Sequence, residues 1–142
     1  MTRLLVLSLA IALTGCAPRT DHAMLMDNIE HAVRLPVGAL SLDHYARAYA
    51  KGPGNRVLGV YFIPSAPDPA RCGQASAQDA RGGAIASCPP PEGMSPNARR
   101  WFDTPAALPR AKGSGCAWID LRFNVDTHRV ETVACHGDMS VR

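Results

Sequence analysis

Cysteine and histidine have the widest chemical range of the residue types in this chain, which carries five of each among 142 residues. The histidines are His22, His31, His44, His128 and His136. None falls in a His-x-x-x-His or Glu-x-x-His spacing, which would present two ligands from one helix face. Cys72, Cys88, Cys116 and Cys135 lie much further apart than the closely spaced pairs of structural zinc sites. An even set of this kind reads as two disulfides formed in an oxidising compartment. Oxidised cysteines leave no thiolate for nucleophilic catalysis. No serine sits in a Gly-x-Ser-x-Gly elbow, and Gly113-Ser114-Gly115 reads as loop. His136-Gly137-Asp138 sets a base near an acid. His136 lies at the end of the strand pattern, however, and nothing in that pattern holds Asp138 against it, so the pair is set aside. The sequence therefore assigns no catalytic residue, no metal site and no cofactor.

The fifth cysteine has a different context. Arg3 precedes ten apolar or small residues, Leu4 to Leu13, followed by Thr14-Gly15-Cys16. A charged start and a short apolar stretch are the pattern of a secretory signal. The stretch is too short to span a bilayer, which takes roughly 20 apolar residues. Leu13-Thr14-Gly15-Cys16 resembles the bacterial lipobox. The resemblance implies cleavage before Cys16 and lipid attachment to its thiol, with residues 1–15 as signal peptide. Two or three acyl chains hold durably where one holds marginally. Ala17 follows the cysteine; the absence of an aspartate there favours the outer membrane over the inner. The expectation is a cell-envelope protein, lipid-anchored and facing the periplasm, attached to the membrane through Cys16.

Taking fifteen residues from 142 leaves 127, enough for a single domain. The organisation expected is a lipidated tether over 16–26 and one periplasm-facing globular domain over 27–142. Without Arg3 the charge is about +2 and scattered, which excludes nucleic acid as a natural partner.

The elements follow from pattern. Asp27 and Glu30 approximate a capping box for a short helix over 27–34, with Leu25, Ile29, Ala32 and Val33 on one face and Pro36 beyond its end. Residues 40–50 fit either a helix capped by Ser41 or a strand in which Tyr45, Arg47 and Tyr49 alternate with alanines. Lys51-Gly52-Pro53-Gly54-Asn55 is turn chemistry, and residues 56–63 are a strand, which favours a hairpin. Residues 64–100 read as a long Pro/Gly-rich loop stapled by its cysteines, and 105–109 as at most one helical turn. Residues 116–123 and 129–135 are antiparallel strands around a turn in which His128 takes a left-handed backbone. Ile119, Leu121, Phe123 and Val130 share one face; Trp118, Asp120, Arg122, Glu131 and Val133 share the other, with Glu131 paired to Arg122. The predicted fold is α+β: a small antiparallel sheet of two hairpins, a short N-terminal helix and the stapled loop. Cys116 and Cys135 project from the same hairpin face, favouring Cys116–Cys135 and hence Cys72–Cys88. The other arrangement ties both loop cysteines to the sheet cysteines.

Ile29-Glu30-His31-Ala32-Val33-Arg34-Leu35-Pro36, Leu42-Asp43-His44-Tyr45-Ala46-Arg47-Ala48-Tyr49-Ala50, Val60-Tyr61, Leu108-Pro109, Gly115-Cys116 and Cys135-His136-Gly137 together resemble a group of small lipoproteins of sphingomonad-type alphaproteobacteria. The resemblance implies a Gram-negative envelope protein and carries no activity. Ser114-Gly115 and His136-Gly137 depart from the group's pattern. Tyr45, Tyr49, Tyr61 and Trp118 read either as an aromatic surface for an envelope protein or glycan, or as core. The functional expectation is a non-catalytic envelope lipoprotein that binds or supports a partner. The alternatives are an inhibitor of a hydrolase such as lysozyme and an envelope-modifying enzyme with the 64–100 loop as its lid.

Overall fold

The computed structural model describes residues 21–66, 92–113 and 115–137. The expected signal peptide, Cys16, Cys72, Cys88, Ser114, Asp138 and most of the 64–100 loop lie outside the described residues. Among those described, the chain forms α1 (Asp21–Ala32), β1 (Ala46–Lys51), β2 (Arg56–Phe62), β3 (Arg99–Phe102), β4 (Gly115–Asn124) and β5 (Arg129–His136). The strands make one sheet in the order β3-β1-β2-β4-β5, which with α1 gives the expected α+β class. The sheet is mixed rather than antiparallel, because β3 pairs parallel to β1 within the stretch expected to be loop.

The helix starts earlier than Asp27. Residues 21–26, expected in the tether, form its first half. Met24, Leu25 and Met26 are strong helix formers. Asp21 in the first turn and His31 in the last both suit the helix dipole. His22, Met26, Ile29 and Val33 recur at helical spacing. Met26, Ile29 and Val33 are buried, and His22 stacks on Trp101 with ring centroids 4.2 Å apart. Asp27 and Glu30 are therefore mid-helix residues and not a cap.

The 40–50 segment resolves into both of its readings. Leu42–His44 is a single 3-10 turn, and Ala46 onward is strand. Pleating sends Tyr45 and Tyr49 toward α1, and Ala46 and Ala48 to the opposite face. Gly54 and Asn55 both take positive φ in the turn to β2, as a tight hairpin turn requires. Gly59 in β2 has its own reason. A Cβ there would lie 2.8 Å from Leu121 Cδ2 and 3.4 Å from Tyr49 Cδ1, so its bare backbone admits two large neighbours.

β4 and β5 pair antiparallel with His128 at φ +52°, as expected. The pairing runs Phe123↔Val130 and then Arg122↔Thr132, so Glu131 is an extra residue in a bulge. This overturns two expectations. Val133 comes opposite Leu121 and packs with the α1-side core. Glu131 bonds Arg56 Nε at 2.7 Å and Asn124 Nδ2 at 3.0 Å, instead of pairing with Arg122.

The sheet thus has two cores. Met26, Ile29, Val33, Tyr45, Tyr49, Tyr61, Ile119, Leu121 and Phe123 pack between α1 and the sheet. Ala46, Ala48, Phe62, Met94 and Trp118 pack on the other face beneath residues 94–111. Tyr45, Tyr49 and Tyr61 are fully buried and Trp118 is 6% exposed, so the four aromatics are core residues and no partner surface. The three tyrosine hydroxyls are satisfied inside. The Tyr45 hydroxyl donates to Cys116 O at 2.7 Å and accepts from Leu40 N at 3.0 Å. The favoured Cys116–Cys135 disulfide is present, with Cα atoms 4.5 Å apart. Its partner bridge, Cys72–Cys88, falls outside the described residues.

Candidate functional site

Two polar clusters stand on opposite faces of the sheet. The first lies under α1. Arg47 Nη1 donates to Glu30 Oε2 at 3.2 Å, and Nη2 donates to Asn97 O and Oδ1 at 2.7 and 2.8 Å. The Tyr49 hydroxyl donates to Glu30 Oε1 at 2.8 Å and lies 3.2 Å from the Tyr61 hydroxyl. Arg99 bonds Asp27 and reaches within 3.6 Å of Glu30. Arg47 and Glu30 side chains are only 8% and 15% exposed, so no ligand of any size reaches them. The cluster fixes α1 on β1 and β3.

Its tyrosines give a measurable pH response. Burial, then the neighbouring Tyr61 and Glu30, raise Tyr49 far above the ordinary phenol value of 10.0. Burial raises Tyr61 in the same direction. Above pH 10 the unfolded chain sheds these protons while the folded chain keeps them. The stability present below pH 10 is therefore lost as pH rises from there. Tyr61→Phe removes one titrating group whose hydroxyl, among the described residues, bonds only Tyr49. It is expected to cost about 1 kcal/mol at neutral pH and to flatten the alkaline fall of the urea midpoint. Parallel alkaline curves for the variant and the parent would refute this account.

The second cluster is accessible. Asp120 in β4 lies opposite Ala134 in β5, which puts His136 two residues further along the same face. Such diagonal neighbours are within reach of longer side chains. His136 Nδ1 and Asp120 Oδ2 are 2.7 Å apart, with the side chains 41% and 33% exposed. Hydrogen bonding to a carboxylate fixes the proton on Nδ1 and leaves Nε2 to accept from a ligand, or to donate when the ring is charged. No second partner of that ring occurs among the described residues. The pair sits in an open groove of about 510 Å³ walled by Val60, Pro105, Leu108, Pro109, Arg110 and Ala111. The groove continues past Leu108 and Asp120 into a hollow of about 320 Å³ bounded by Leu58, Arg122 and Thr132. Comparison with protein-family models, with curated proteins and with solved structures finds no match.

A carboxylate-oriented imidazole is the arrangement of a general base. Around it, the described lining offers Thr132 as its only hydroxyl and no thiol. The groove brings together apolar walls, two arginines and one oriented hydrogen-bonding ring. No group of three His, Cys, Asp or Glu side chains suited to a metal ion occurs among the described residues.

The other histidines do different work. His22 stacks on Trp101, His44 bonds Ser41 at 2.9 Å, and His31 and His128 edge a shallow hollow beside Phe123. Along the chain, the acid nearest His136 is Asp138, two positions on. The residue that meets it is Asp120, sixteen positions earlier and on the adjacent strand. The signal for that pair was the β4–β5 register, which places Asp120, Ala134 and His136 on one face.

Proposed function

We propose that the chain is a lipid-anchored envelope protein, held at the membrane through Cys16 and facing the periplasm, which binds an envelope partner without catalysing a reaction. The observation that carries this reading is the set of cysteines. Cys16 stands in the lipobox-like Leu13-Thr14-Gly15-Cys16 behind a charged, apolar leader. Cys116 and Cys135 are joined, which fits an oxidising compartment. Ala17 favours the outer membrane. The Asp120–His136 groove is the accessible feature best suited to a protein or glycan partner. An envelope-modifying enzyme is the second reading, favoured by the oriented imidazole itself. It requires a nucleophile or an activated water to be brought to Nε2.

Labelled palmitate should enter the chain in cells and fail to enter Cys16→Ser, which should accumulate as uncleaved precursor. Label in the variant would refute the anchor. Capture from membranes with the lipidated protein should recover one envelope component, and Asp120→Ala with His136→Ala should lose it. Equal recovery by parent and variant would exclude the groove.

A further inference from the structure

We propose that the β3 edge of the domain lies on the bilayer, with Arg100, Arg110 and Lys112 against anionic lipid headgroups. The inference rests on the lipid anchor proposed above and adds the surface that meets the membrane.

Chain length sets the first constraint. Five residues carry the backbone from Cys16 to Asp21, where α1 begins. An extended chain covers at most about 3.6 Å per residue, so the start of α1 stays within about 18 Å of the anchored cysteine. The start of α1 is fixed against β3. His22 stacks on Trp101, and Arg99 bonds Asp27 on the next turn. Among the described residues β3 is the outermost strand on that side and pairs only with β1. The tether therefore brings the β3 edge toward the lipid. The far edge, β5, is three strands beyond β1, and strands are about 4.8 Å apart.

Charge is the second observation. Arg100, Phe102, Arg110 and Lys112 line one open depression with Glu92, Pro109 and Trp118. Arg100 lies over the Phe102 ring at 5.8 Å, and neither Arg100 nor Arg110 has a carboxylate partner among the described residues. Lys112 is 3.7 Å from Glu92 and remains 70% exposed. Glu92 is already engaged by Ser65 N and Oγ. Asp103 is the other acidic residue on this segment, and it is exposed. Three projecting cations beside half-buried Phe102 form the mixture that favours a headgroup layer. Arginines also protect an open strand edge from pairing with another chain. A purely protective role predicts no dependence on lipid charge.

The test uses the lipidated protein reconstituted into vesicles. Mass measurement of its N-terminal peptide first establishes the lipid on Cys16, so failure of the anchor is recognised separately. Hydrogen exchange of 99–103 and 110–112 is then compared in phosphatidylglycerol-containing vesicles, phosphatidylcholine vesicles and detergent. Exchange at these segments should slow in phosphatidylglycerol, and exchange at 129–136 should stay unchanged. The protection should fall by about fivefold for each cation neutralised in Arg100→Gln, Arg110→Gln and Lys112→Gln, and added inorganic phosphate should not abolish it. Circular dichroism and urea unfolding establish that these surface variants fold. Equal exchange in all three environments would overturn the proposal, as would protection at 129–136 in place of β3. A peptide without lipid would overturn the anchor and this orientation together.

Discussion

Arg47→Ala is expected to lower unfolding stability by about 3 kcal/mol, near the lower end of the 3–5 kcal/mol seen when one partner of a buried ion pair is removed. Arg47 is the one charged residue in the described core, with 6% of its surface exposed. Its loss strips Glu30 Oε2 and both Asn97 acceptors of donors. Two features hold the cost down. Tyr49 still donates to Glu30, and Arg99 remains 3.6 Å from the carboxylate. The aliphatic stem adds a packing loss of its own. The urea midpoint reads the effect. A double-mutant cycle with Glu30→Ala should return a coupling above 1 kcal/mol, since residues in direct contact couple. Additive single effects would show that the ion pair itself contributes nothing. The pair also links three elements, because Glu30 is on α1, Arg47 on β1, and Asn97 two residues before β3. Hydrogen exchange should accordingly quicken in 99–102 of the variant before it quickens in β4.

Period two made β2 and β4 legible, because each has one face committed to a core. Val57 and Tyr61 lie on one side of β2, while Ile119, Leu121 and Phe123 do the same in β4. β3 hid for the opposite reason. It is four residues long, two of them arginines, and its partner β1 lies some fifty positions earlier. Its pairing follows from tertiary placement and leaves little local pattern. The start of α1 was obscured by Asp27, which has the chemistry of a cap and is used for a bond to Arg99. The Glu131 bulge moved Val133 across the sheet, since one inserted residue reverses every side chain beyond it. That same register decides the candidate site. Beyond the bulge, His136 falls on the side of Asp120; strict alternation with Glu131 paired to Arg122 would have sent it to the other. The disulfide was readable because Cys116 and Cys135 close the open end of a hairpin. The aromatics were not, because Tyr45, Tyr49, Tyr61 and Trp118 have the same spacing whether a helix covers them or solvent does.

Reducing Cys116–Cys135 is expected to cost about 3 kcal/mol, the entropic contribution of a loop of this size. The bridge spans 19 positions. Its main effect is on the unfolded chain, so two quantities should change together. The urea midpoint should fall, and the m-value should rise as the unfolded state opens further. A lower midpoint at constant m would place the loss in the folded state instead. Two contacts argue for a smaller folded-state share. Cys116 Sγ lies 3.7 Å from Val37 O, and the Tyr45 hydroxyl joins Cys116 O to Leu40 N. The tyrosine bridge survives reduction and keeps the 33–40 segment against β4. Cys135 is 3% exposed, so Cys135→Ser should be worse than Cys116→Ser, which leaves its hydroxyl at a half-buried position. The comparison also bears on where the chain folds. A domain losing about 3 kcal/mol in its reduced form forfeits a large part of the ordinary 5–15 kcal/mol stability of a small protein. On the export proposed above, the reduced form would be the state best suited to crossing, and oxidation afterwards would complete the fold. Refolding the chain with and without oxidant tests this directly: a reduced form as stable as the oxidised one would remove the disulfide from the argument about compartment.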